Sequence, residues 1–310
     1  MNFKNLSAIL LMMAVGCINI YSVGGMDLSV YDENVVNFNF TEIYFLKEII
    51  SWLFIILSKW FFNDVRYIFI FAWLLLFYVL TAVGISKDRS LCVVAMACLT
   101  PYYYLMSLNV LRQLISAIFL SASYLYYVSN KKINLKVLLF IALSILSHNS
   151  VAFLIMLYVI IFVVFKINLK YSFLYLLSVM FFVLKFQTEI ILFAAYLNNQ
   201  EIVEEASDLK RYIYIISQIP FVVGIFKYHK DSRIILISLI VTLVNIPLPN
   251  WMIERLLITS GYVFFITYLS IVQLRTIFEA IKSVVLCFGM LIFTFFHTGV
   301  KAILFGEGLR

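Results

Sequence analysis

Residues 109–152 read NVLRQLISAIFLSASYLYYVSNKKINLKVLLFIALSILSHNSVA. Arg112, followed by Gln113, stands where one apolar run begins, and His148 stands inside the next one. The loop between them, 129–136, carries Lys131, Lys132 and Lys136 and no acid. An ionisable group at bilayer depth costs about 3 kcal/mol on insertion scales, so it is kept only where it is paired, reached by water or functional. Two such groups bracketing a helical hairpin make that hairpin the first place to look for chemistry.

The chain around the hairpin supplies a membrane setting. Of its 310 residues, 64% are hydrophobic, 17% aromatic and 13% charged; a soluble domain carries roughly a quarter charged. Gly and Pro are sparse and the apolar runs long, which predicts helices. A membrane β-barrel would instead repeat alternating segments of ~10 residues. The expected fold is all-α: a single integral membrane domain over residues 1–310, a polytopic bundle of about eleven transmembrane helices plus one re-entrant or interfacial helix. The net charge of +7 orients the chain, because basic residues collect in short cytoplasmic loops. No basic face lies outside those loops, which argues against a nucleic-acid partner. Cys17, Cys92, Cys98 and Cys287 lie in apolar runs without redox or ligand spacing and read as packing residues. With no Gly-rich phosphate loop, Walker motif or Cys/His cluster, neither a cofactor nor a metal is expected.

The loop charges set a consistent path. Lys4 and an apolar run with no cleavage site after it read as an uncleaved first span, 6–23. An external acidic loop, 24–44, follows with Asp27, Asp32, Glu33 and Glu42. The segment FLKEIISWLFIILSKWFF, 45–62, is interrupted by Lys47, Glu48 and Lys59. It falls short of the ~20 apolar residues of a span and is read as the interfacial or re-entrant helix, on the external side. Spans at 67–85 and 91–107 put Lys87 and Arg89 inside and Tyr102, Tyr103 and Tyr104 at the external interface, where tyrosines settle. Arg112 is then external, and 137–147 rises outward to His148. Further spans are read at 151–165, 171–190, 212–226, 234–246, 256–272 and 284–296, with Glu201, Glu204, Glu205, Asp208 and Arg255 in external loops.

The run from Val137 to His148 reaches only ~18 Å against a hydrocarbon core of ~30 Å. His148 is therefore expected below the membrane surface, on the floor of a water-filled cleft, where Asn149 and Ser150 can meet the freed backbone groups. An imidazole there can act as general base on a hydroxyl; the alternative is a packing histidine bonded between helices. The planar fork of Arg112 matches phosphate oxygens, and the free N–H groups of a helix start favour anions. Its alternative is an arginine snorkelling to lipid headgroups. Arg255 carries the same two readings, and Gln113 points to a polar pocket. Asp27, Asp32 and Glu48 are the external acids placed to approach the cleft, where a carboxylate could orient a substrate hydroxyl or serve as base in place of His148.

Arg112-Gln113 opening a helix, a basic inner loop, and then His148-Asn149-Ser150-Val151-Ala152 together resemble the EpsG family of Wzy-type polysaccharide polymerases. Asp27 in the first loop, Glu48 and the late Arg255 are similar in order and spacing. The chain departs from the family pattern at Leu114, where a small residue often follows Arg-Gln, and at Ile49-Ile50, where Pro-Gly often follows the early acid. The resemblance implies glycosyl transfer at the periplasmic face of a bacterial inner membrane. A growing glycan would pass from undecaprenyl pyrophosphate to a lipid-linked repeat unit, with Arg112, Arg255 and His148 catalytic and Gln113, Asp27, Glu48 and Asn149 binding substrate. The implied partners are undecaprenyl-pyrophosphate-linked glycans and the bilayer, with room for a chain-length regulator protein. Two rivals remain open on the sequence. A lipid-linked oligosaccharide flippase or transporter would need polar residues along a path through both leaflets. Another membrane transferase decorating the polysaccharide would fit Asp27 and Asp32 equally well.

Overall fold

The computed structural model describes residues 3–148 apart from 25, 26, 40, 41, 131, and, beyond them, 185, 216–225, 250–272 and parts of 284–305. Among the described residues every regular element is helical. In chain order these are α1 (Phe3–Tyr21), α2 (Asp27–Val36), α3 (Ile43–Leu46), α4 (Ile49–Phe62), a 3-10 turn (Val65–Tyr67), α5 (Ile68–Ala82), α6 (Lys87–Ala97), α7 (Pro101–Ser107), α8 (Leu111–Asn130) and α9 (Leu135–Ser147). Later helices include α10 (Ile216–Ile225), α11 (Asn250–Ile271) and α12 (Thr298–Phe305), and residues 284–290 are also helical.

Two described segments, Lys4–Tyr21 and Val65–Ala82, are long and apolar enough to cross a membrane; α6 and α7 make a third if their bent pair is one span. The spans read at 151–165, 171–190 (apart from residue 185) and 234–246, and the acidic loop at 201–208, lie outside the described residues. Three of the eleven spans fall there.

Local chemistry explains where the helices break. Between α6 and α7 the axis turns by 79°. Thr100 caps α7, its hydroxyl accepting from the Tyr103 N–H at 3.2 Å, and Pro101 takes the first turn, where its missing N–H costs nothing. α9 opens on Asn134, whose side chain accepts from the Val137 N–H at 3.2 Å. It closes at His148, whose backbone is extended (φ −161°, ψ 121°). Its thirteen residues span ~20 Å, short of a bilayer core.

α8 is the centre of the molecule. Fifteen of its residues are buried, and it packs most extensively on α9 and α11, with α5, α7 and α4 completing the surround. Small residues let two of these helices meet closely, as in membrane bundles generally. At the α8–α9 crossing the Ser116 hydroxyl donates to the Ser144 carbonyl at 2.8 Å and the Ser144 hydroxyl to the Ser116 carbonyl at 2.9 Å. At α11, Gly261 lies against the buried ring of Tyr102. Gly24, at φ +82°, donates its N–H to the Ile303 carbonyl at 2.9 Å, joining the turn before α2 to α12.

Three expectations change. The acidic loop 24–44 contains a helix, α2, because Leu28, Tyr31 and Val35 recur at helical spacing and pack inward. The 45–62 segment divides at Lys47–Glu48, and α4 buries Ser51, Trp52, Ile55 and Ser58 on a side that meets α8 and α9. Tyr102, Tyr103 and Tyr104 are not on an exposed interfacial belt but fully buried. The α6–α7 bend carries them into the packing, where Tyr102 bonds to the Ser217 hydroxyl at 2.5 Å and Tyr103 accepts from the Asn19 amide at 2.8 Å.

Candidate active site

The two helices of the α8–α9 hairpin run antiparallel, and Ser116 and Ser144 fix their register. Arg112 lies four residues before Ser116 and His148 four residues after Ser144, so each sits one turn beyond the lock on the matching face. The open ends of the hairpin therefore bring Arg112 and His148 to the same level.

Glu48 joins them. It precedes α4 and is 2% exposed, and its carboxylate reaches both Arg112 and His148. Oε1 lies 2.7 Å from Nδ1 of His148. Oε2 accepts from Nη1 of Arg112. A carboxylate paired with an arginine is ionised and accepts only, so Nδ1 of His148 carries the hydrogen and donates it to Glu48. Nε2 is then the basic nitrogen. It is buried and, among the described residues, has no hydrogen-bond partner. Removing one partner of such a buried pair leaves an uncompensated charge.

Aromatic rings hold Arg112 from the other side. Its guanidinium lies 5.5 Å from the ring centre of Tyr31 and 5.6 Å from that of Trp52, within cation–π range. Tyr31 meets Trp52 edge-on at 5.8 Å, and Phe45 meets Trp52 at 5.0 Å. The Tyr31 hydroxyl accepts from Nε of Arg112 at 3.4 Å, and the Ser51 hydroxyl donates to the Arg112 carbonyl at 3.1 Å. Helices α2, α4 and α8 thus converge on one side chain.

Gln113 and Arg255 form the neighbouring contact. Gln113 is 1% exposed, and its amide N–H group donates to the Arg255 carbonyl and, at 2.5 Å, to the Thr259 hydroxyl. It thereby ties the start of α8 to α11. Arg255 is half-buried, and its charge, like that of Arg112, acts on the His148 imidazole.

Of the residues singled out from the sequence, Arg112, Glu48 and His148 meet in one cluster. Gln113 and Arg255 adjoin it. Asp27 opens α2, the helix that carries Tyr31. Asn149 lies outside the described residues. Asp32 does not join the cluster: it pairs with Lys59 at 2.9 Å and fastens α2 to α4. Sequence reading missed Tyr31, Trp52, Ser51 and Thr259. Trp52 had a usable signal, since it stands four residues after Glu48 and shares its helix face. In a chain with 20 tyrosines and 30 phenylalanines, Tyr31 had none.

Strongly apolar helices packed round an Arg–Glu–His cluster, its Glu48 and His148 buried, define a membrane protein with a charged centre inside its helix packing. The chain belongs to the EpsG family, whose family model matches residues 5–307. No curated protein and no solved structure gives a significant match. The family points to a membrane role of polysaccharide-polymerase type.

Proposed function

We propose that this protein polymerises lipid-linked oligosaccharide repeat units at the periplasmic face of a bacterial inner membrane. The observation that carries this reading is the cluster itself, in which Arg112 and His148 meet over one carboxylate, in a chain whose family is polymerase-like. The substrates of such a reaction are glycans on undecaprenyl pyrophosphate, and each chemical demand of the transfer has a residue of matching kind.

An acceptor sugar hydroxyl attacks the anomeric carbon of the donor glycan, the bond from that carbon to the diphosphate oxygen breaks, and undecaprenyl pyrophosphate departs. His148 Nε2 takes the hydroxyl proton as general base, a contribution of about 10²- to 10⁴-fold. Arg112 and Arg255 offset the charge that develops on the departing diphosphate. Because α9 ends short of a bilayer's thickness, the reaction lies below the membrane surface, where the low dielectric of the surrounding helices strengthens such charge interactions. Gln113 serves by holding Arg255 at the edge of the site, and Asp27 and Asn149 are proposed to contact the acceptor sugars.

Complementation of a deletion strain tests the reading. Wild type should restore the full polysaccharide ladder, while His148→Ala and Arg112→Ala, at equal membrane level, should leave core plus one repeat unit. A deletion that leaves bare core would point to a flippase, and a deletion that leaves the ladder's lengths intact would point to a decorating transferase; either overturns the proposal.

A further inference from the structure

Glu48 occupies the N-cap position of α4, where an acidic side chain ordinarily accepts from the first N–H groups of its own helix. It does not: no side-chain cap bond forms, and its backbone is bent away from capping geometry (φ −136°, ψ 36°). The carboxylate turns instead to α8 and to the end of α9, meeting Arg112 with one oxygen and His148 Nδ1 at 2.7 Å with the other. The chain thus forgoes a local bond for two long-range ones at a site 2% exposed.

We propose that Glu48 is a positioning residue of the transfer reaction: it fixes the His148 ring with Nδ1 protonated and Nε2 bare, and holds that ring in register with Arg112. This rests on the polymerase reading above. Nε2 is the ring atom without a partner among the described residues, as a base awaiting a substrate hydroxyl must be. When Nε2 receives that proton, the imidazolium formed faces the charges of Arg112 and Arg255. The Glu48 carboxylate beside Nδ1 offsets them. Without it the ring can turn or take the other tautomer, which presents N–H instead of a lone pair to the acceptor; in a serine protease triad the analogous loss costs about 10⁴-fold.

The test uses the full-length protein in nanodiscs with a polyprenyl-diphosphate-linked repeat unit as substrate, reading kcat and KM per folded molecule. Glu48→Gln should lower kcat by about 10²- to 10⁴-fold while KM moves by less than about threefold. Should that variant fail to fold, Glu48→Asp keeps the buried negative charge but draws it back by one methylene group, too short to hold both Arg112 and Nδ1 in the native geometry, and it should show a fall in kcat with near-normal thermal stability. An unchanged kcat in a folded variant, or a raised KM with kcat preserved, overturns the positioning role. The polymerase reading then still stands if the wild type lengthens the glycan and His148→Ala does not. If the wild type lengthens nothing, the polymerase reading fails first and takes this inference with it.

Discussion

Ser116 and Ser144 each donate a hydroxyl hydrogen to the other's backbone carbonyl, and their oxygens lie 3.0 Å apart. The pair is one turn from Arg112 on α8 and one turn from His148 on α9, so a polar contact between two small residues sets the distance between two chemical groups. Interhelical hydrogen bonds of this kind average about 0.6 kcal/mol, so Ser116→Ala or Ser144→Ala alone should shift thermal unfolding little. Ser144→Leu forces the helices apart. It should keep the protein in the membrane while sharply shortening the polysaccharide ladder, and a normal ladder from it would show that the crossing does not set the site.

Arg112→Ala leaves the Glu48 carboxylate buried without its cation, and it should destabilise the protein by about 3–5 kcal/mol. Arg112→Lys keeps the charge but loses the planar fork and its stacking on Tyr31 and Trp52. It should unfold closer to wild type and still polymerise poorly. Thermal unfolding in nanodiscs, set beside the ladder for each variant, separates the two effects.

Gln113→Ala removes the donor that binds the Arg255 carbonyl and the Thr259 hydroxyl; because that hydroxyl still donates to the Arg255 carbonyl at 2.9 Å, the cost should be that of lost hydrogen bonds, about 0.5–1.5 kcal/mol each. Gln113→Glu should be worse, because it places carboxylate oxygens against two oxygens. Both should reduce chain growth through the loosened start of α11.

Gly261→Ala is expected to destabilise although it touches no charged group. An added Cβ would fall 2.5–2.9 Å from three ring carbons of Tyr102, a ring that is fully buried and cannot swing away. Overpacking of this kind costs about 1–3 kcal/mol, readable as a lower melting temperature.

Several parts of this arrangement were legible in the sequence for physical reasons. Arg112 and His148 stood out because charge is rare in apolar runs, and the lysine-rich loop between them fixed a hairpin. The break at Thr100-Pro101 went unread: the span taken at 91–107 ran across it, although a threonine followed by proline is the chemistry that caps and opens a new helix. Glu48 was visible as an acid in the wrong company, but its partners are far along the chain, and nothing local says that α4 delivers it to both. The three tyrosines were misplaced because the same ring that suits an interface also suits a core once its hydroxyl has a partner. α2 was hidden by its acids, whose charge drew attention from the Leu28–Tyr31–Val35 stripe beneath.

The bond from Gly24 to Ile303 has a consequence in time. A ribosome adds about 5–20 residues per second, so Gly24 is made tens of seconds before the carbonyl that receives its N–H. The turn that launches α2 has no anchor at Ile303 during that interval, and α2 brings Tyr31 to Arg112. Synthesis therefore splits the clamp's two supports in time: the Asp32–Lys59 pair and the Tyr31–Trp52 contact can form within the first half of the chain, whereas the anchor of the turn before α2 waits until residue 303 is made.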